Sequence, residues 1–143
     1  MSRAVEDRTT ETQSSNRRMI VLNRRVAVGL GLASVAAIHI LDLPGKFAET
    51  PYLAVLYILL IIASFVLTER LFVAGTQRDF LAAAALSVAV IASFTINRTV
   101  GMPGATGDIG NWLEPLGLLS IVVEAFVLWQ SIAAVVTMRR NAS

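Results

Sequence analysis

The chain has 143 residues, 55% of them hydrophobic and only 15% charged, with a net charge of +2 and no cysteine. The length suits one domain, the charged share lies well below the roughly 25% of an ordinary soluble protein, and the lack of cysteine excludes disulfides, thiolate catalysis and cysteine metal sites. The charges are clumped around 3–25, 69–79 and the last few residues, a distribution that argues against a soluble fold and gives the small positive balance no nucleic-acid meaning.

Residues 1–19 are polar, mixed in charge and nearly free of large apolar side chains. Such a segment buries too little surface to offset its ordering entropy, so a flexible cytoplasmic tail is expected there. The rest, 20–140, reads as one transmembrane domain. Its first span is expected over about 26–42, with Met19 to Leu22 extending the helix past Arg24 and Arg25. Pro44-Gly45 is expected to stop it, because a proline pushes the preceding residue out of helical geometry. A cleavable signal peptide competes for this segment, but the mostly apolar run continues to Leu43 and three more spans follow.

The second span is expected over about 51–67, with Thr50 as N-cap and Pro51 at the tolerated first position. The third is expected over about 79–96, after Thr76-Gln77-Arg78-Asp79, which approximates a capping box with Asp in place of Glu. The fourth is expected over about 112–138, where Asn111 and Glu114 have the cap-to-third-residue spacing. Each is near the roughly 20 residues that cross a hydrocarbon core. Helices are the expected form, since alternation is absent and open strands cannot span lipid. The fold class is therefore an all-α integral membrane protein, a four-helix transmembrane bundle of two α-hairpins.

Orientation follows from the basic residues. The tail, the middle loop and the C-terminus hold Arg3, Arg8, Arg17, Arg18, Arg24, Arg25, Arg70, Arg78, Arg139 and Arg140, while the other two loops hold Lys46 and Arg98. Both termini are expected in the cytoplasm, in a cell (inner) membrane. Pro44-Gly45 and Pro103-Gly104 follow the first helix of each hairpin, and each second helix is entered through an acidic residue near a proline, Glu49 with Pro51 and Glu114 with Pro115. Duplicated hairpins are one reading of that likeness, and the commonness of such turns is the other.

Ionisable residues inside a span are costly and usually face the bundle or a cavity. His39 lies fourteen residues beyond Arg25 and Glu124 fifteen before Arg139, so at about 1.5 Å per residue both rise roughly 21 to 22 Å. A shared layer in the outer half of the bilayer, and a mutual contact, are expected. Tyr57 and Ser93 fall near the same level, beneath a rim of Asp42, Lys46, Glu49, Arg98, Asp108 and Trp112. Lys46 with Glu49, and Arg98 with Glu114, are expected to neutralise each other. Tyr52 and Trp112 suit the aromatic belt, and Trp129 a packing or lipid-facing place.

Three readings of the layer compete. Glu124 and His39 tie helices together, or His39, Glu124, Tyr57, Asp42 and Ser93 bind a small polar ligand, or His39 and Glu124 relay protons. His39, Asp42 and Glu124 offer donor atoms for a divalent metal, although one histidine makes a thin ligand set. No phosphate loop, zinc-protease or nucleophile-elbow motif is present, nor a second histidine for a bis-histidine haem, so catalysis is not expected.

The stretches from His39 to Tyr52 (HILDLPGKFAETPY), Asn97 to Gly104 (NRTVGMPG) and Asp108 to Gly117 (DIGNWLEPLG) resemble small, uncharacterised four-helix membrane proteins of actinobacteria. The resemblance implies a bundle and transfers no activity. The expected role is a non-catalytic accessory or interaction subunit of a membrane complex, with metal, proton or solute handling as the alternative. The expected partners are the lipid bilayer and other membrane subunits or a second copy, not nucleic acid.

Overall fold

A computed structural model of the protein describes residues 2–140, so Met1 of the expected tail and residues 141–143 lie outside the described part. Among the described residues are four α-helices and no strand, α1 (Ser2–Glu49), α2 (Pro51–Val73), α3 (Gln77–Thr99) and α4 (Pro115–Arg140), with a short 3₁₀ turn at Thr106–Asp108. Each α-helix is long and apolar enough to cross a membrane, the first within Glu11–Glu49. Apolar side chains also cover the outside of the bundle: Leu30, Leu41, Leu59, Val122 and Trp129 are all exposed. In water such a surface would be a liability.

α1 departs from expectation at both ends. Residues 2–19 are helical and continuous with the first span, and residues 11–20 are exposed. No glycine or proline interrupts the chain before Gly29, and the hydroxyls of Thr12 and Ser14 turn back onto the carbonyls of Arg8 and Glu11. At the other end the helix runs through Pro44-Gly45 to Glu49 instead of stopping. A proline inside a helix removes one donor and crowds the carbonyl four residues back. Here it sits in the last two turns, and the residues around it are held from other elements. Tyr57 Oη donates to Asp42 Oδ2 at 3.1 Å, and Lys46 Nζ lies 3.5 Å from Asp108 Oδ2.

The two Pro-Gly pairs therefore fold differently. Gly45 is helical, whereas Gly104 takes φ 74° in a real turn. Thr50 alone joins α1 to α2, while residues 100–114 join α3 to α4. The expected likeness of the hairpins does not extend to their connections.

The caps explain the remaining boundaries. Thr50 is the N-cap residue of α2 and Pro51 opens the helix, but the Thr50 side chain makes no capping bond. The C-terminus of α2 is satisfied from α1: Arg25 donates to the carbonyls of Leu71 and Phe72, both at 2.7 Å. A cation there also suits the helix dipole. Gly75 then turns the chain with φ 59°. Thr76 and Asp79 form the expected capping box, and Arg70 Nε bonds to Asp79 Oδ1 at 2.7 Å. α4 does not begin after Asn111. Glu114 caps it instead, accepting from the backbone N–H of Leu116 at 3.0 Å and of Gly117 at 2.7 Å. Proline at the first helical position has no N–H to satisfy, so the next two donors are those that need an acceptor.

α1 packs against α2 and α4, and α3 packs against α4, whereas α2 and α3 scarcely meet. Val28, Leu32, Leu71, Phe80, Ala83, Val127, Ala134 and Val135 form the core near the end that carries the termini. Gly31 lets α4 come close: a Cβ there would lie 2.5 Å from Val127 Cγ2. Toward the opposite end, where both hairpins turn, the interior becomes polar.

Candidate functional site

At this loop end the connection between α3 and α4 folds back onto the bundle around Asp108. Arg98 Nη1 lies 2.8 Å from Asp108 Oδ1, and Asn97 Nδ2 donates to Oδ2 at 2.9 Å. Lys46 reaches the same carboxylate from α1 at 3.5 Å. Arg98 is buried and also lies 3.4 Å from Glu114 Oε2, with its guanidinium 5.0 Å from the centre of the Phe94 ring. Both expected rim pairs form, since Lys46 also meets Glu49 at 3.4 Å. Burial alone would raise the Asp108 carboxyl. The bonds from Asn97 and Arg98 and the charges of Lys46 and Arg98 outweigh it and hold the group below the usual carboxylate range. Tyr52 Oη completes the closure by donating to the Pro103 carbonyl at 2.7 Å.

Beneath this rim is a cavity of about 410 Å³. His39, Asp42, Tyr57 and Ser93, four of the five expected ligand-binding residues, line it together with Asn97 and Arg98. His39 is buried, its ring edge-to-face with Tyr57 at 4.7 Å between centres. Its Nδ1 lies 2.9 Å from the Val35 carbonyl oxygen. A carbonyl only accepts, so Nδ1 carries the hydrogen and Nε2 is the acceptor of the neutral ring. Among the described residues no group bonds to Nε2.

Glu124 is not part of this site. It does not line the cavity, it is fully buried, and among the described residues neither carboxyl oxygen has a hydrogen-bond partner. Ser87 is close enough to interact, but its hydroxyl is likewise without a well-formed bond. The contact of Val127 with Gly31 sets the level. Glu124, three residues nearer the loop end, is about level with Ser34, and His39 is five residues further, about 7.5 Å along the axis. The expected mutual contact of His39 and Glu124 does not form. The expected metal triad fails with it, since among the described residues no three such side chains gather to hold an ion.

Sequence reasoning placed Lys46, Arg98 and Asp108 on the rim, but not the joint that Asn97, Arg98 and Lys46 make at Asp108. A clue was available in the spacing, because Asn97 and Arg98 end one helix just before a loop whose carboxylate can return to them. No family model, curated protein or solved structure matches the chain.

Proposed function

We propose that the protein is a small multi-pass protein of the cell's inner membrane, with both termini cytoplasmic, that holds a small guest beneath the charged rim. One observation carries this reading: His39, Tyr57, Asp42 and Ser93, four of the residues expected to bind a small polar ligand, line one cavity of about 410 Å³. That volume is in the range of small-molecule sites, as is a mostly apolar lining with a few polar groups. His39 is suited to binding, since its free acceptor is held in place by the bond at Nδ1. No covalent or redox chemistry is called for, and binding or carriage describes the role. The accessory-subunit reading rests on the exposed apolar faces, which lipid would cover equally well, so the cavity is the more specific guide.

The test uses the cysteine-free chain. Val90 lines the cavity, so Val90→Cys provides a single thiol there. Native mass spectrometry of gently extracted protein should find a guest below ~1,000 Da, and stripping it should speed alkylation of that thiol. A chain that carries no guest, with a thiol rate indifferent to added membrane extract, overturns the reading. Orientation is tested separately. Cysteines at Phe47 and Thr106 should react with an impermeant reagent in intact cells, and one at Gln77 should not; the reverse pattern overturns it.

A further inference from the structure

The cavity has an open side. It is lined from both α2 and α3, the two neighbours that scarcely meet, and its lining includes the exposed residues Leu56, Leu59 and Ala89. Around helices that span a membrane, the medium on that flank is hydrocarbon. The slot also changes character along its length. Asp42, Asn97 and Arg98 stand at the loop end, His39 and Ser93 come next, and Leu60, Ala63 and Leu86 line the rest with hydrocarbon. From Arg98 to Leu86 the slot descends twelve residues of α3, about 18 Å. A slot of this polarity, open to lipid, fits an amphiphile in the leaflet at the loop end, its head under the rim and its tail along α2 and α3.

The charge at the rim narrows the head. Asp42, Glu49, Asp108 and Glu114 outnumber Lys46 and Arg98, and both cations are already paired with carboxylates. A phosphate would meet a negative rim with no unpaired cation. The free acceptor of His39 instead calls for a donor from the guest. The volume narrows the tail: about 410 Å³ lies toward the low end of small-molecule sites, roughly 300–1,000 Å³, and suits one chain rather than two.

We propose that the cleft between α2 and α3 binds an uncharged, hydroxyl-headed, single-chain lipid that enters sideways from the bilayer. This rests on the reading of the cavity as a binding site and adds the class of guest and its route.

Farnesol is a suitable probe, with farnesyl monophosphate as the charged head on the same tail and glycerol as a hydroxyl head without one. The full chain with Val90→Cys is placed in phosphatidylcholine nanodiscs and alkylated with N-ethylmaleimide. Farnesol should slow alkylation at least fivefold, the phosphate and glycerol less than twofold. Val122→Cys, exposed on α4, should be indifferent to all three. His39→Phe should weaken farnesol protection roughly 2- to 10-fold, the range of one neutral hydrogen bond. Ala89→Phe, at the exposed lip and away from the core, should abolish it while leaving the melting temperature unchanged. Equal or better protection by the phosphate overturns the neutral head, and persistence in Ala89→Phe overturns the slot. Protection by glycerol alone, or by none of the three probes, overturns the lipid class. The binding reading is then judged by whether native mass spectrometry finds another guest.

Discussion

Glu124→Met should stabilise this protein, contrary to what a buried carboxylate in a helix interface first suggests. Glu124 is fully buried on α4, and both oxygens lack a partner. A buried unsatisfied polar group costs about 1–3 kcal/mol. The gain on removing it is smaller in a bilayer, because the separated helices also find partners there and hydrogen bonds average about 0.6 kcal/mol. Methionine is near enough in length for the repacking cost to stay below about 1.5 kcal/mol. A net gain of about 1 kcal/mol is expected, with Glu124→Gln near zero because the amide is left as unpartnered as the acid. Ser87→Ala should also be near neutral, since its hydroxyl makes no bond. Reversible unfolding in mixed micelles measures these differences, and a His39→Leu, Glu124→Met cycle completes them. Residues separated by this much and without a shared partner should add within about 0.5 kcal/mol. A loss above about 1 kcal/mol in Glu124→Met, with Glu124→Gln unchanged, would show a partner for the carboxyl and refute the reasoning. Coupling to His39 above that limit would show that the two groups meet.

The glycines give a paired prediction. Gly31→Ala should lower stability by about 1–3 kcal/mol, because its methyl would meet Val127 at 2.5 Å. Gly45→Ala should raise it by up to about 1 kcal/mol, since Gly45 is helical and its nearest neighbour would be 4.0 Å away; a loss there would show a turn after Pro44. In the cap of α4, Glu114→Ala should cost about 1 kcal/mol and Asn111→Ala less than about 0.5 kcal/mol, both read by unfolding, and equal losses would place the cap elsewhere. The Asp108 joint has a defined pH response. Its folded carboxyl lies below the ordinary value of 3.8, so its contribution is complete above that value and is lost as pH falls through the folded one. Trp112 fluorescence should therefore be flat from about pH 5 to 8 and change only below about pH 4; a transition near neutrality would assign the joint to another group.

Much of the fold was legible because lipid imposes a simple rule. Four apolar stretches, Pro51 after Thr50, and the Thr76–Asp79 box each predict an element that forms. The local signals that failed were those a distant residue overrides. Pro44-Gly45 reads as a stop, but Tyr57 and Asp108 hold the helix on either side of it. Asn111 and Glu114 have capping-box spacing, yet the bonds of Glu114 place the start at Pro115. The gap between α2 and α3 was not legible at all. Helix faces that meet lipid are as apolar as faces that meet each other, so the pattern of leucines on α2 does not say which side lacks a neighbour.

The site was half legible, and the reason lies in the ruler used for depth. Counting residues from the nearest arginine assumes that Arg24-Arg25 and Arg139-Arg140 sit at one level. They do not: the close approach of Gly31 to Val127 puts Arg25 level with about residue 133 of α4. Arg139 is six residues beyond that, so α4 extends about 9 Å past the level of Arg25 before its arginines begin. The count therefore lifted Glu124 out of its own layer and into that of His39. Corrected, the polar interior has two levels with different surroundings: His39 with Tyr57 and Ser93 along an open slot, and Glu124 beside Ser87, sealed from it. A metal site or proton relay that needs both groups at one depth loses its geometric support. Binding in the slot needs only the upper level, which is where the free acceptor of His39 lies.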